Sequence, residues 1–107
     1  MARPRIGDVF RAVADPTRRE LLDRLSAGEE SMMNLADSFD MSLPAVSQHL
    51  KVLREAGLVS ERREGRKRIY TVVPGPLREI SDWVGHYQHF WQTRLDKLGQ
   101  HLRSKKE

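Results

Sequence analysis

Residues 42–73, SLPAVSQHLKVLREAGLVSERREGRKRIYTVV, carry two sets of side chains suited to a polyanion. The first set is small, polar and cationic at helical spacing: Ser42, Pro44, Ala45, Ser47, Gln48 and Lys51. A glutamine amide can pair in bidentate fashion with adenine N6/N7, and a serine hydroxyl can bond a base edge or a phosphate. The second set is Arg62, Arg63, Arg66, Lys67 and Arg68, compressed into one short segment. Such a cluster neutralises phosphates without reading sequence.

These residues do their chemistry only if local structure aims them outward. As a helix, the first segment buries Val46, Leu50 and Leu53 along one stripe. Pro44, Gln48 and Lys51 then lie opposite the core, with Ala45 and Ser47 beside them. Arg54 suits a backbone phosphate. His49 falls at the edge of the stripe and is assigned a hydrogen bond to a phosphate or the backbone, not to a base. Ser42 caps the helix, Pro44 sits in its first turn, and Gly57 ends it. Residues 58–64 and 68–73 alternate as two strands around a turn at Gly65.

Upstream, residues 6–14 read as a short helix with Val9, Phe10 and Val13 on one face. Asp15-Pro16 opens a second helix to about Ser26, with Leu21, Leu22 and Leu25 inward and Arg18, Arg19 and Arg24 outward. Gly28 closes it. Ser31 or a neighbour starts a third helix with Leu35, Ala36 and Phe39 as its apolar side, and Asp40-Met41 turns the chain into the reading helix. A lone polar helix face is usually just a solvated surface. The short preceding helix, the tight turn and the basic hairpin together favour a nucleic-acid reader.

Composition agrees. The chain has 107 residues, 32% of them charged, and no cysteine. It fits one soluble domain without disulfides or thiolate metal sites, in keeping with a cytoplasmic location. Net charge is +4, with excesses of three positive charges in residues 58–73 and two in residues 76–107, so the rest of the chain is nearly neutral. No apolar run approaches the roughly 18 residues of a membrane span, and the N-terminus lacks the apolar core of a signal peptide. No nucleophile–base motif, Gly-rich phosphate loop or paired acid suggests an enzyme.

After Pro74-Gly75-Pro76, residues 77–103 read as one long helix. Leu77, Ile80, Val84, Tyr87, Trp91, Leu95, Leu98 and Leu102 form a continuous apolar stripe, widened by Trp83 and Phe90. One small domain has too little body to cover it. A second copy can, with Phe10 joining the same interface, and aromatics of this kind enrich interfaces. Packing wholly on its own domain, or lining a small-molecule pocket, are the alternatives.

The combined pattern resembles the ArsR/SmtB family of bacterial winged-helix repressors. The resemblance is carried by residues 14–19 (ADPTRR), residues 42–59 (SLPAVSQHLKVLREAGLV) and residues 63–70 (REGRKRIY), and spans residues 6 to about 100. It implies a mainly α fold with a small β-hairpin, a winged helix-turn-helix dimerising through its terminal helices. It is expected as one domain over residues 1–107: helix-turn-helix at about 31–54, wing at 58–73, dimerisation helix at 77–103. The implied function is a homodimeric regulator, usually a repressor of its own or a neighbouring operon, binding double-stranded DNA at an inverted repeat. Arg18, Arg63, Arg66, Lys67 and Arg68 join the helix residues as expected DNA contacts.

The sequence departs from the family's metal sensors. Where many relatives carry Cys-x-Cys, this chain has Ser31-Met32-Met33. A second sensor type pairs Asp-x-His with a later His-x-x-His/Glu on the last helix. Here Asp82 is followed by Val84 at the histidine position, and Ser104 stands three residues after His101. His86 and His89 share a helix face, but His86 and His101 lie about 22 Å apart along one helix at ~1.5 Å per residue. Only a partner helix could join them. The expectation is therefore no metal and no cofactor, with any small-molecule effector unspecified. A metal- or ligand-released repressor of the same fold, and a winged helix that binds an acidic protein, are the alternatives.

Overall fold

The structure, a computed structural model, describes residues 7–106, with side chains placed through residue 99. Five helices and a small sheet follow in the order α1 (Asp8–Val13), α2 (Pro16–Ser26), β1 (Glu30–Ser31), α3 (Met32–Phe39), α4 (Leu43–Glu55), β2 (Val59–Glu64), β3 (Lys67–Val72) and α5 (Arg78–Lys106). A 3-10 turn at Gly75–Leu77 leads into α5. The expected start of the first helix at Ile6 lies outside the described residues.

Three helices, α2, α3 and α4, begin at a side-chain cap. The Asp15 carboxylate accepts from the Arg18 N–H (3.1 Å), and Pro16 occupies the first position of α2. Ser31 accepts from the Asn34 N–H (3.2 Å) at α3. Ser42 accepts from the Ala45 N–H (3.3 Å) at α4. Asp40, with φ 50, makes the left-handed exit from α3 that turns the chain into α4.

The sheet differs from the expected two-stranded hairpin. It has three strands in the order β1-β3-β2, all antiparallel. Glu30 pairs with Tyr70 and Ser31 with Ile69, tying the start of α3 to the wing. A two-residue strand has no alternation to detect, and this one adjoins a helix cap, so no local pattern marks it.

The core gathers Val9 and Ala12 of α1, Leu21, Leu22 and Leu25 of α2, Leu35 and Ala36 of α3, and Val46, Leu50 and Leu53 of α4, closed by Leu58, Val59 and Tyr70. The expected α4 stripe is thus buried, which fixes the face α4 turns to solvent.

The base of α5 packs on this body. Leu77 and Ile80 lie against the core, and Phe10 meets Trp83 edge-to-face with ring centroids 5.8 Å apart. The start of the stripe, at Leu77 and Ile80, is thus partly covered by the protein's own core. Beyond it, Tyr87, Phe90, Trp91, Leu95 and Leu98 stay exposed, Leu95 at 64%. No helix among the described residues is long and apolar enough to cross a membrane.

Candidate nucleic-acid interface

With Val46, Leu50 and Leu53 buried, Pro44, Gln48 and Lys51 are exposed and Ala45 and Ser47 half-buried on the flanks. Among the described residues, the side chains of Ser47, Gln48 and Lys51 have no hydrogen-bond or ion-pair partner, so their full capacity faces outward. The Ser42 hydroxyl oxygen already accepts the capping N–H, and its proton remains available.

Arg18 and His49 have a different setting. Arg18 donates through Nε to the Ala12 carbonyl (2.7 Å) and through Nη2 to the Arg11 carbonyl (3.0 Å). It thereby supplies donors at the end of α1, where helix carbonyls run short of intrahelical partners, the Arg11 carbonyl also accepting the Ala14 N–H (3.2 Å). Its Nη1 reaches His49 Nδ1 of α4 at 3.4 Å and Asp15 at 3.9 Å. One guanidinium thus touches α1, α2 and the reading helix. The Arg18 backbone N–H, aided by the Thr17 N–H and the Arg18 and His49 charges, holds the Asp15 carboxyl below its usual range despite opposing desolvation.

The wing cations divide into two groups. Arg62 is bonded to Glu29 and Glu64, spanning from the hairpin to the loop before β1. This bond is the first cause of a lowered Glu29 carboxyl. Glu61 is a second acceptor: it takes the Arg54 guanidinium from α4 and the Tyr70 hydroxyl (3.2 Å), and Arg68 Nε lies 3.7 Å away. Burial, followed by the Glu61 charge and bond, pushes the Tyr70 phenol up. Arg63, Arg66 and Lys67 form no ion pair among the described residues.

Sequence reasoning did not single out Glu61 or Glu29. One signal was available for Glu61: it alternates with buried Val59 and so points to the same side of the strand.

The register sharpens the electrostatics. Arg63 stands directly opposite Arg68, and Gly65 takes the first turn position with φ 64. Like charges directly opposite each other destabilise a hairpin. An anion between or beside them removes that cost. Asp82, His86 and His89 are not brought together as metal ligands; His86 Nδ1 lies 3.3 Å from the Trp83 carbonyl. Among the described residues no three His, Asp or Glu side chains form a metal-ligating group.

Residues 15–61 match the family model for the bacterial regulatory protein arsR family. The chain is 34% identical to the transcriptional repressor SdpR of Bacillus subtilis, over 74% of this chain and 88% of that one. It is 38% identical to the HTH-type transcriptional regulator Rv2034 of Mycobacterium tuberculosis, over 89% and 86%. The chain belongs to the arsR family. A similar solved structure is the homodimeric winged helix-turn-helix DNA-binding domain (fragment 1–100) of Mb0332 from Mycobacterium bovis, described as a possible ArsR-family transcriptional regulator. It superposes with a TM-score of 0.65 at 29% identity, covering 77% of this chain and 79% of that one. This arsR-family protein is a DNA-binding transcriptional regulator with a mostly helical winged helix-turn-helix fold and no cysteine.

Proposed function

We propose that the protein acts as a homodimeric repressor in the cytoplasm, without a metal cofactor, on its own or a neighbouring operon. Two copies pair through the outer part of α5. Each lays the N-terminal half of α4 in the major groove of one arm of an inverted repeat. Residues 1–107 work as one domain, with helix-turn-helix at 31–54, wing at 58–73 and dimerisation helix at 77–103.

The observation that carries this reading is the unpartnered face Ser47, Gln48 and Lys51 beside the unpaired wing cations Arg63, Arg66 and Lys67. Gln48 reads a base, Ser47 a base edge or phosphate, and Lys51 and the wing cations bind phosphates. Pro44 and Ala45 let the helix approach the groove, and Ser42 approaches the backbone through its hydroxyl proton. Arg54 and Arg68 meet phosphate from their place beside Glu61. Arg18 and His49 act mainly by holding α4 against α1 and α2.

Pairing is supported by the ridge of Trp83, Val84, Tyr87, Phe90, Trp91, Leu95 and Leu98, with Phe10 at its base. Exposed aromatics and leucines in one row cost free energy in water and regain it against a second copy. The homodimeric relative Mb0332 favours the same assembly, and SdpR, a repressor, favours the same output.

The test is a titration against DNA upstream of the protein's own gene and against scrambled DNA, at several salt concentrations. Tight, sequence-selective binding that weakens steeply with salt is expected. Equal affinity for both DNAs, or insensitivity to salt, overturns the reading. No DNA retained even at low salt points instead to an acidic protein partner.

A further inference from the structure

Under the wing tip lies an open cavity of about 370 Å³, between the start of α3, the start of α4 and the hairpin. Its size falls within the ~300–1,000 Å³ usual for small-molecule sites. Met32, Met33 and Leu43 give it an apolar floor, and Arg66, Lys67 and Arg68 form a cationic rim. Met33 is 67% exposed and Leu43 45%, although both are large apolar side chains in first helical turns. Asp37, one helical turn beyond Met33, also lines the cavity. An anionic group is therefore drawn to the three hairpin cations and repelled by Asp37.

The two halves of the site ask for different things in one ligand. A bare phosphate satisfies Arg66 and Lys67 but leaves the methionines in water. A neutral apolar molecule covers the floor and leaves the cations unanswered. Methionine adapts to irregular apolar shapes, so the floor suits a flexible chain better than a rigid ring. We propose that this cavity binds a small amphipathic carboxylate with a medium-length alkyl chain, the chain lying on Met32, Met33 and Leu43 and the carboxylate on the wing cations.

This has a regulatory consequence that rests on the DNA-binding mode proposed above. Arg66 and Lys67 cannot hold the ligand carboxylate and a DNA phosphate together. The carboxylate and DNA thus exclude each other, and binding releases the operator. No metal is involved.

The test uses the full chain with carbon-13 methionine methyl groups, titrated with octanoate, octanol and inorganic phosphate. Octanoate is expected to shift the Met32 and Met33 signals and leave Met41 unmoved. Octanol and phosphate are expected to bind about tenfold more weakly or worse, because octanol forgoes the charge-assisted bond and phosphate forgoes the apolar floor. Met33→Gln is expected to abolish the Met32 shift, keep operator affinity without octanoate, and make operator binding insensitive to octanoate. Unmoved Met32 and Met33 signals overturn the site, as do changes confined to the Trp83 and Trp91 indoles. Equal binding of octanol overturns the role of the rim. Occupied methionines without operator release overturn the exclusion. If the chain binds no operator even without octanoate, the DNA-binding mode fails, and the methyl shifts still decide the site.

Discussion

Arg54, in the last turn of α4, is hydrogen-bonded to Glu61 in the first wing strand. The carboxylate side chain is only 17% exposed and also accepts from the Tyr70 hydroxyl, with Arg68 beside it. A single acid therefore sets the wing against the reading helix. Glu61→Ala leaves two guanidiniums and a buried phenol without their acceptor. The expected cost is about 1–3 kcal/mol of stability, read by urea unfolding. Amide exchange in β2 and β3 is expected to speed up more than in α2. Unchanged stability and wing protection contradict this role.

Arg18→Ala removes two bonds to α1 carbonyls and the approach to His49. A destabilisation of about 1–3 kcal/mol is expected. Arg18→Lys should recover little of it, because one ammonium cannot replace a planar fork serving several acceptors. If Arg18→Ala instead lowers DNA affinity with stability intact, Arg18 binds phosphate directly.

The two halves of the interface should respond differently. Gln48→Ala is expected to reduce discrimination by about 1–3 kcal/mol at one base pair per half-site, measured on single-base operator variants. Arg66→Ala is expected to weaken all DNA alike and flatten the salt dependence by ~0.9 in log–log slope for each phosphate no longer neutralised. A Gln48→Ala protein with unchanged base preference removes Gln48 from the reading role.

Much of this was legible because it is local. The apolar spacing of Val46, Leu50 and Leu53 named the buried face of α4, and the caps at Asp15 and Ser42 named two helix starts. What escaped depends on distant partners. Arg62 meets Glu29 across 33 positions of sequence, and Glu30 finds its place beside Tyr70 only once the hairpin has formed. Of the five clustered wing cations, tertiary structure alone separates Arg62 and Arg68, beside acids, from Arg63, Arg66 and Lys67. Similarly, periodicity marked α5 as one stripe, whereas the coverage of Leu77 and Ile80 depends on where α1 and the core lie.

Acid should expose two capping and bridging carboxylates. Asp15 and Glu29 titrate below their ordinary values of 3.8 and 4.5 when folded. A lowered folded value means the contribution is complete above the ordinary value and lost as pH falls through the folded one. Thermal unfolding followed from pH 7 to pH 3 should therefore show the advantage of the parent over Asp15→Asn shrinking at the acid end. A constant advantage contradicts the charge-assisted cap.

Trp91→Glu places a charge in the middle of the exposed α5 ridge, away from the core of the single chain. Sedimentation should show a monomer with the parent's helix content, and operator affinity should fall because two weakly held arms no longer bind as one. A Trp91→Glu dimer as tight as the parent puts the interface elsewhere.

The most direct measurement is cleavage protection of the DNA beside the protein's own gene. Two protected arms of an inverted repeat are expected, centred about 34 Å or one duplex turn apart, with one chain per arm. Protection of a single unrepeated element by one chain, or none at low salt, contradicts the account.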